Sequence, residues 1–94
     1  MAEMEQYEYD LRIKKSARKQ LLKLQPKFFK QVMSKILALT DNPRPQDYKT
    51  LKGYSDYYRV DQGEFRIIYQ IGEEDIKIVR VGKRNDDEVY RNLE

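Results

Sequence analysis

Apolar and polar positions follow two different periods along the chain. From Tyr7 to Ile13 they alternate one for one, the mark of a half-buried strand. From Ala17 the spacing lengthens: Ala17, Leu21 and Leu24 form one apolar stripe, and Phe29, Val32, Met33, Ile36 and Leu39 form a second. Stripes at this spacing predict two amphipathic helices. Ser16 stands where it can cap the first. Pro26 ends that helix and suits the first turn of the next. Asp41-Asn42-Pro43-Arg44-Pro45 stops the second helix and opens a loop.

The second half returns to strand patterns. Tyr54–Val60, Phe65–Ile71 and Ile76–Val81 are rich in β-branched and aromatic residues. Their links, Asp61–Glu64 and Gly72–Asp75, are short, polar and contain glycine, as an antiparallel meander requires. Asn85, followed three residues later by Glu88, reads as the start of a short terminal helix. The expectation is one α+β domain over residues 1–94. Its order is βααβββ, with the helical hairpin packed on one face of a mainly antiparallel sheet.

If Asp61–Glu64 closes as a two- or four-residue loop, Val60 opposes Phe65, Arg59 opposes Arg66 and Tyr58 opposes Ile67; a three-residue loop with a bulge at Gly63 would instead pair Val60 with Glu64. In the first register Tyr58, Val60, Phe65, Ile67 and Tyr69 share the core face. Tyr57, Arg59, Arg66, Ile68 and Gln70 share the other. Two arginines directly across from each other repel, which a bound phosphate would relieve through forked hydrogen bonds. Val81-Gly82-Lys83-Arg84 leads further cations out of the last strand, and Lys49 and Lys52 precede the first of the meander. With Tyr90 on the terminal helix, the open face combines cations with aromatic rings, as single-stranded RNA recognition needs.

Charge sharpens this picture. Arg12–Thr40 holds nine bases and no acid, within a chain of net charge +3. A helical surface of one sign suits a solvated face or a polyanionic or acidic partner: nucleic acid, ribosome or acidic protein. There is no cysteine and no histidine. Disulfides, Cys/His zinc sites, thiol nucleophiles and a histidine base are excluded, and Ser16, Ser34 and Ser55 have no histidine to activate them. No apolar run approaches a membrane span, so the expected location is the cytoplasm.

An ordered set of residues resembles the RelE/ParE toxin superfamily, and within it the RelE branch. The set is Leu51-Lys52-Gly53, Tyr58-Arg59, Gly63-Glu64-Phe65-Arg66-Ile67-Ile68-Tyr69, Val81-Gly82-Lys83-Arg84 and Val89-Tyr90. The resemblance runs from Tyr7 to Tyr90. It implies the toxin of a type II toxin–antitoxin pair, an endoribonuclease that cuts mRNA in the ribosomal A site without metal or other cofactor. The ribose 2′-hydroxyl attacks the neighbouring phosphate, leaving a 2′,3′-cyclic phosphate and a 5′-hydroxyl. By matching position it implies that Arg66 and Arg84 bind the scissile phosphate, with Arg84 also serving the leaving oxygen. Tyr90 would stack on a base, and Arg59 stands where the family often has lysine. Lys49, Lys52 and Lys83 are expected to contact RNA. A small acidic antitoxin and the ribosome with its mRNA are the implied partners.

One position departs from the pattern. Two residues beyond Arg59 the family carries a second lysine, proposed as the base, and this chain has Asp61. Asp61 and Glu64 are the candidate carboxylate bases, or plain turn residues, and Lys52 and Lys49 are other candidates for the base. The alternatives to the nuclease are a ParE-type gyrase inhibitor and a non-catalytic RNA- or protein-binding module of the same fold.

Overall fold

The computed structural model describes residues 8–85. Seven elements follow in order: β1 (Asp10–Ile13), α1 (Lys15–Leu22), α2 (Pro26–Asp41), β2 (Lys49–Leu51), β3 (Tyr54–Gln62), β4 (Phe65–Ile71) and β5 (Asp75–Lys83). The strands form one sheet in the order β1-β5-β4-β3-β2. β1 runs parallel to β5 and the other pairings are antiparallel. The α+β class and the packing of the hairpin on the sheet agree with the sequence expectation. The short strand β2 is an addition to it. The terminal helix expected after Asn85 lies outside the described residues, as does Tyr7.

The helices cover one face because their apolar stripes match it. Ala17 and Leu21 of α1 and Val32, Ile36 and Leu39 of α2 are buried against Val60, Phe65, Ile67, Tyr69, Ile76, Ile78 and Val81. Pro26 takes the first helical turn of α2, as its missing N–H and fixed φ favour. Two local expectations change. Phe28, four residues before Val32, stacks at 5.4 Å on Phe65, while Phe29, one residue further round the helix, is partly exposed. Ser16 does not cap α1. Lys14 occupies the cap position, and the Ser16 hydroxyl donates to the Val79 carbonyl of β5 at 3.2 Å, tying helix to sheet.

The loop after α2 is fixed from within the core. The Tyr69 hydroxyl donates to the Pro43 carbonyl at 2.7 Å. Burial, helped by Asp47, pushes that phenol well above the usual tyrosine range. The basic helix surface is exposed as expected at Lys15, Arg18, Lys19, Lys23, Lys27 and Lys30. Lys35 instead pairs with Asp47 at 3.1 Å, and Arg12 with Asp75 at 3.1 Å. No described helix is long and apolar enough to cross a membrane.

Candidate nucleic-acid interface

The face of the sheet turned away from the two helices begins at the β3–β4 turn. Gly63 takes φ 61 while Glu64 stays in the ordinary region, so these two residues alone close the hairpin. A positive φ at the first central position is what a tight two-residue turn of this kind asks of glycine. The turn is Gly63-Glu64, so β3 runs two residues further than a four-residue loop would allow. Gln62 opposes Phe65, Asp61 opposes Arg66, Val60 opposes Ile67 and Arg59 opposes Ile68. This corrects the expected pairing of Arg59 with Arg66. The slip is two residues, so every side chain keeps its expected face while its partner changes.

The change of partner rebuilds the electrostatics. Arg66 donates from Nε to Asp61 Oδ1 at 2.7 Å and from Nη2 to Oδ2 at 3.1 Å, a forked, two-bond pair. Both side chains are mostly shielded from water, at 13% and 28% exposure. Arg84 joins them. Its backbone N–H donates to the Glu64 carbonyl at 2.8 Å, which continues the β4–β5 pairing one residue past β5 and sets Arg84 beside the turn. Its Nε then lies 3.9 Å from Asp61 Oδ2 and its Nη1 is 3.5 Å from the Gly63 carbonyl. The hydrogen bond from Arg66 holds the Asp61 carboxyl below the usual aspartate range against its partial burial. The charges of Arg66, Arg84 and Arg59 add to this.

A second row of cations crosses the sheet behind that cluster. Lys49 opposes Arg59, Arg59 opposes Ile68, and Ile68 opposes Arg80. Arg80 is absent from the sequence-derived set. It reaches this face through a bulge in β5: Ile68 pairs with Arg80 but Tyr69 with Ile78, so Val79 is the extra residue. The signal was available in Ile78-Val79-Arg80-Val81, where two adjacent apolar residues break the alternation. Around Ile68, Leu51 and Val79 complete a small buried apolar cluster with Tyr57 packed against it.

The structure thus brings Arg59, Asp61, Arg66, Arg84 and Lys49 to one face. Lys52 is exposed in the β2–β3 turn beside it. Lys83 differs: it opposes Phe65, a core-facing position, so the pleat directs it toward the helix side. Glu64 is exposed at the turn. Tyr90 lies outside the described residues. Among the described residues, no group of three acidic or other metal-binding side chains is placed to hold an ion.

A cluster of arginines on an open sheet face, drawn together by one carboxylate, is suited to binding an anion of fixed geometry. Residues 11–88 match the family model described as the ParE toxin of the type II toxin–antitoxin system parDE. No curated protein matches the chain. Among solved structures, the chain is similar to a free mutant form of the E. coli toxin RelE, at 26% identity and a TM-score of 0.78, covering 92% of this chain and 94% of that one. It is similar to the toxin–antitoxin complex RelBE2 of Mycobacterium tuberculosis, at 26% identity and 0.75, covering 89% of this chain and 100% of that one. It is also similar to the archaeal RelE–RelB complex of Pyrococcus horikoshii, at 27% and 0.71, covering 82% and 96%. The chain belongs to the RelE/ParE superfamily of type II toxin–antitoxin toxins.

Proposed function

We propose that the chain is a RelE-type endoribonuclease that cuts mRNA in the ribosomal A site. The observation that carries this reading is the convergence of Arg66 and Arg84 on Asp61 at the open face. Two guanidiniums held around one oxyanion group are pre-arranged for a phosphate. In the reaction, the 2′-hydroxyl gives its proton to solvent water as its oxygen attacks the adjacent phosphorus, and the departing 5′-oxygen of the next nucleotide takes a proton from water. The products are a 2′,3′-cyclic phosphate and a 5′-hydroxyl. Negative charge grows on the phosphoryl oxygens, where Arg66 and Arg84 stabilise it. Arginine stays protonated, so Arg84 assists the leaving oxygen by charge and hydrogen bonding.

Asp61 serves this site as the residue that holds Arg66 rather than as its base. Both its oxygens are engaged, and a carboxylate held below its ordinary range is a weak proton acceptor. Catalysis then rests on charge stabilisation and on the orientation the ribosome imposes on the strand. Tyr90 would stack on a base of the same codon. The basic hairpin would lie against rRNA phosphates and would be covered in the resting cell by an acidic antitoxin. Leu22 and Leu37, 72% and 53% exposed among its lysines, offer that antitoxin apolar anchors.

The ParE description of the matching family favours a second reading, inhibition of gyrase. A translating extract programmed with a defined mRNA separates the two. Discrete, codon-phased cuts that vanish when translation is blocked support the nuclease. Loss of plasmid supercoiling without cuts supports the gyrase inhibitor, and neither effect would leave a binding module.

A further inference from the structure

The open face continues past the arginines into a groove that the phosphate site does not use. Between Thr50 and Leu51 the pairing with β3 jumps, from Thr50 opposite Tyr58 to Leu51 opposite Tyr54. Residues 55–57 therefore bulge out of the ladder, and Asp56 takes φ 69, a conformation uncommon outside glycine. The displaced strand leaves a groove of about 320 Å³ lined by Thr50, Leu51, Lys52, Tyr54 and Arg59. Leu51 is buried beneath it, while Tyr54 is 38% exposed. The Tyr54 ring is braced by Tyr57, centroid to centroid 6.0 Å and tilted by 60°.

We propose that this groove is a second nucleotide subsite. It takes one unpaired base of single-stranded RNA on the Tyr54 ring and the adjoining phosphate on Arg59 and Lys52. The inference builds on the nuclease reading and concerns which part of the strand the toxin grips beside the cut. Three features favour RNA as the occupant. The lining carries two cations and no carboxylate. Lys49 adds a third positive charge, directly across from Arg59. Arg59 also precedes Asp61 by two residues on the same face, about 7 Å along the strand, so one chain of nucleotides can touch both sites. An exposed aromatic ring with flanking cations is the arrangement that binds bases without demanding a sequence.

The test is equilibrium binding of a 2′-O-methyl hexanucleotide, whose blocked hydroxyl prevents cleavage, to the purified full chain. Tyr54→Leu should weaken binding about tenfold and Tyr54→Phe should leave it near wild type. Removing one base of the probe should weaken wild-type binding by a similar factor and leave Tyr54→Leu unchanged, the coupling expected of a direct stack. Equal binding by wild type and Tyr54→Leu, or equal loss in the Leu and Phe variants, overturns the subsite. So does undiminished RNA binding with weakened capture of an antitoxin peptide, which would assign the groove to protein. Base-dependent binding through Tyr54 in a toxin that never cuts upholds the subsite and sinks the nuclease. Normal cutting by wild type with no Tyr54 effect sinks the subsite alone.

Discussion

On the helix-covered side of the sheet, Val60, Ile67, Tyr69, Ile76, Ile78 and Val81 are each at most 2% exposed. On the other side the same three strands carry Arg59, Asp61, Arg66, Ile68 and Arg80, held by hydrogen bonds and charge as much as by packing. The first face needs only apolar volume at alternate positions. Sliding β3 against β4 by two residues would leave it equally apolar. The second face is specific to pairs. The same slide would replace Asp61 opposite Arg66 with Arg59 opposite Arg66, turning an attraction into a repulsion of a few tenths to about 1 kcal/mol. The apolar face therefore selects a set of allowed registers, and the polar face, with the Gly63 turn, selects among them.

The comparison breaks most visibly on the apolar side. Ile67→Ala opens a cavity between sheet and hairpin and should lower stability by about 2–5 kcal/mol in a urea titration. A loss below about 1 kcal/mol would show that this face is not close-packed. On the polar side the large effect is on chemistry. Arg84 is 54% exposed, so Arg84→Ala should change stability by no more than about 0.5 kcal/mol. It should cut the cleavage rate by about 100- to 1000-fold. Arg66→Ala should lose a similar factor, and wild-type cleavage by both variants at equal soluble protein would remove the phosphate site from this face.

The same contrast explains what could be read from the sequence. The hairpin, the meander and the membership of each face rest on periodicity, and period two survives a two-residue error. The partner of Arg66 did not follow, because it depends on whether Asp61 and Gln62 count as loop or strand. A polar pair beside a glycine supports either. Arg80 was hidden by the Val79 bulge, which inverts the alternation within one strand. The face of Lys83 follows from its pairing with Phe65, which its place beside Arg84 in the sequence does not reveal. Phe28 and Phe29 compete for one core position, and the phase that Pro26 and Val32 set decides between them. The superfamily resemblance was legible because it rests on residue identities in order, which register does not alter.

A smaller effect sharpens the apolar side. Tyr69→Phe keeps the ring in place but leaves the buried Pro43 carbonyl without its donor. Stability should fall by about 1–3 kcal/mol, the range for an unsatisfied buried acceptor. Cleavage per folded molecule should not change. Amide exchange should rise first in the loop after α2, which this bond anchors, and an unaltered loop would show that Tyr69 stabilises by packing alone.

The last test concerns the polar side's central residue. Asp61→Asn removes the charge from the forked pair while nearly preserving its shape. The pair is partly exposed, so the loss at neutral pH should be about 1 kcal/mol. Its pH dependence is more informative than its size. The folded-state value of Asp61 is held down, chiefly by the Arg66 hydrogen bond, relative to an unfolded value of about 4. The stabilisation is therefore complete above about pH 4 and is lost as pH falls through the lower folded value. Wild type and variant should differ most at neutral pH and converge in acid. The same variant separates two roles in catalysis. A residue that holds Arg66 should lose about tenfold in cleavage, equivalent to about 1.4 kcal/mol of transition-state stabilisation. A general base should lose about 100- to 10,000-fold. A loss in the second range, with Asp61→Glu restoring activity, would return Asp61 to the role of base and leave Arg66 to find its orientation elsewhere.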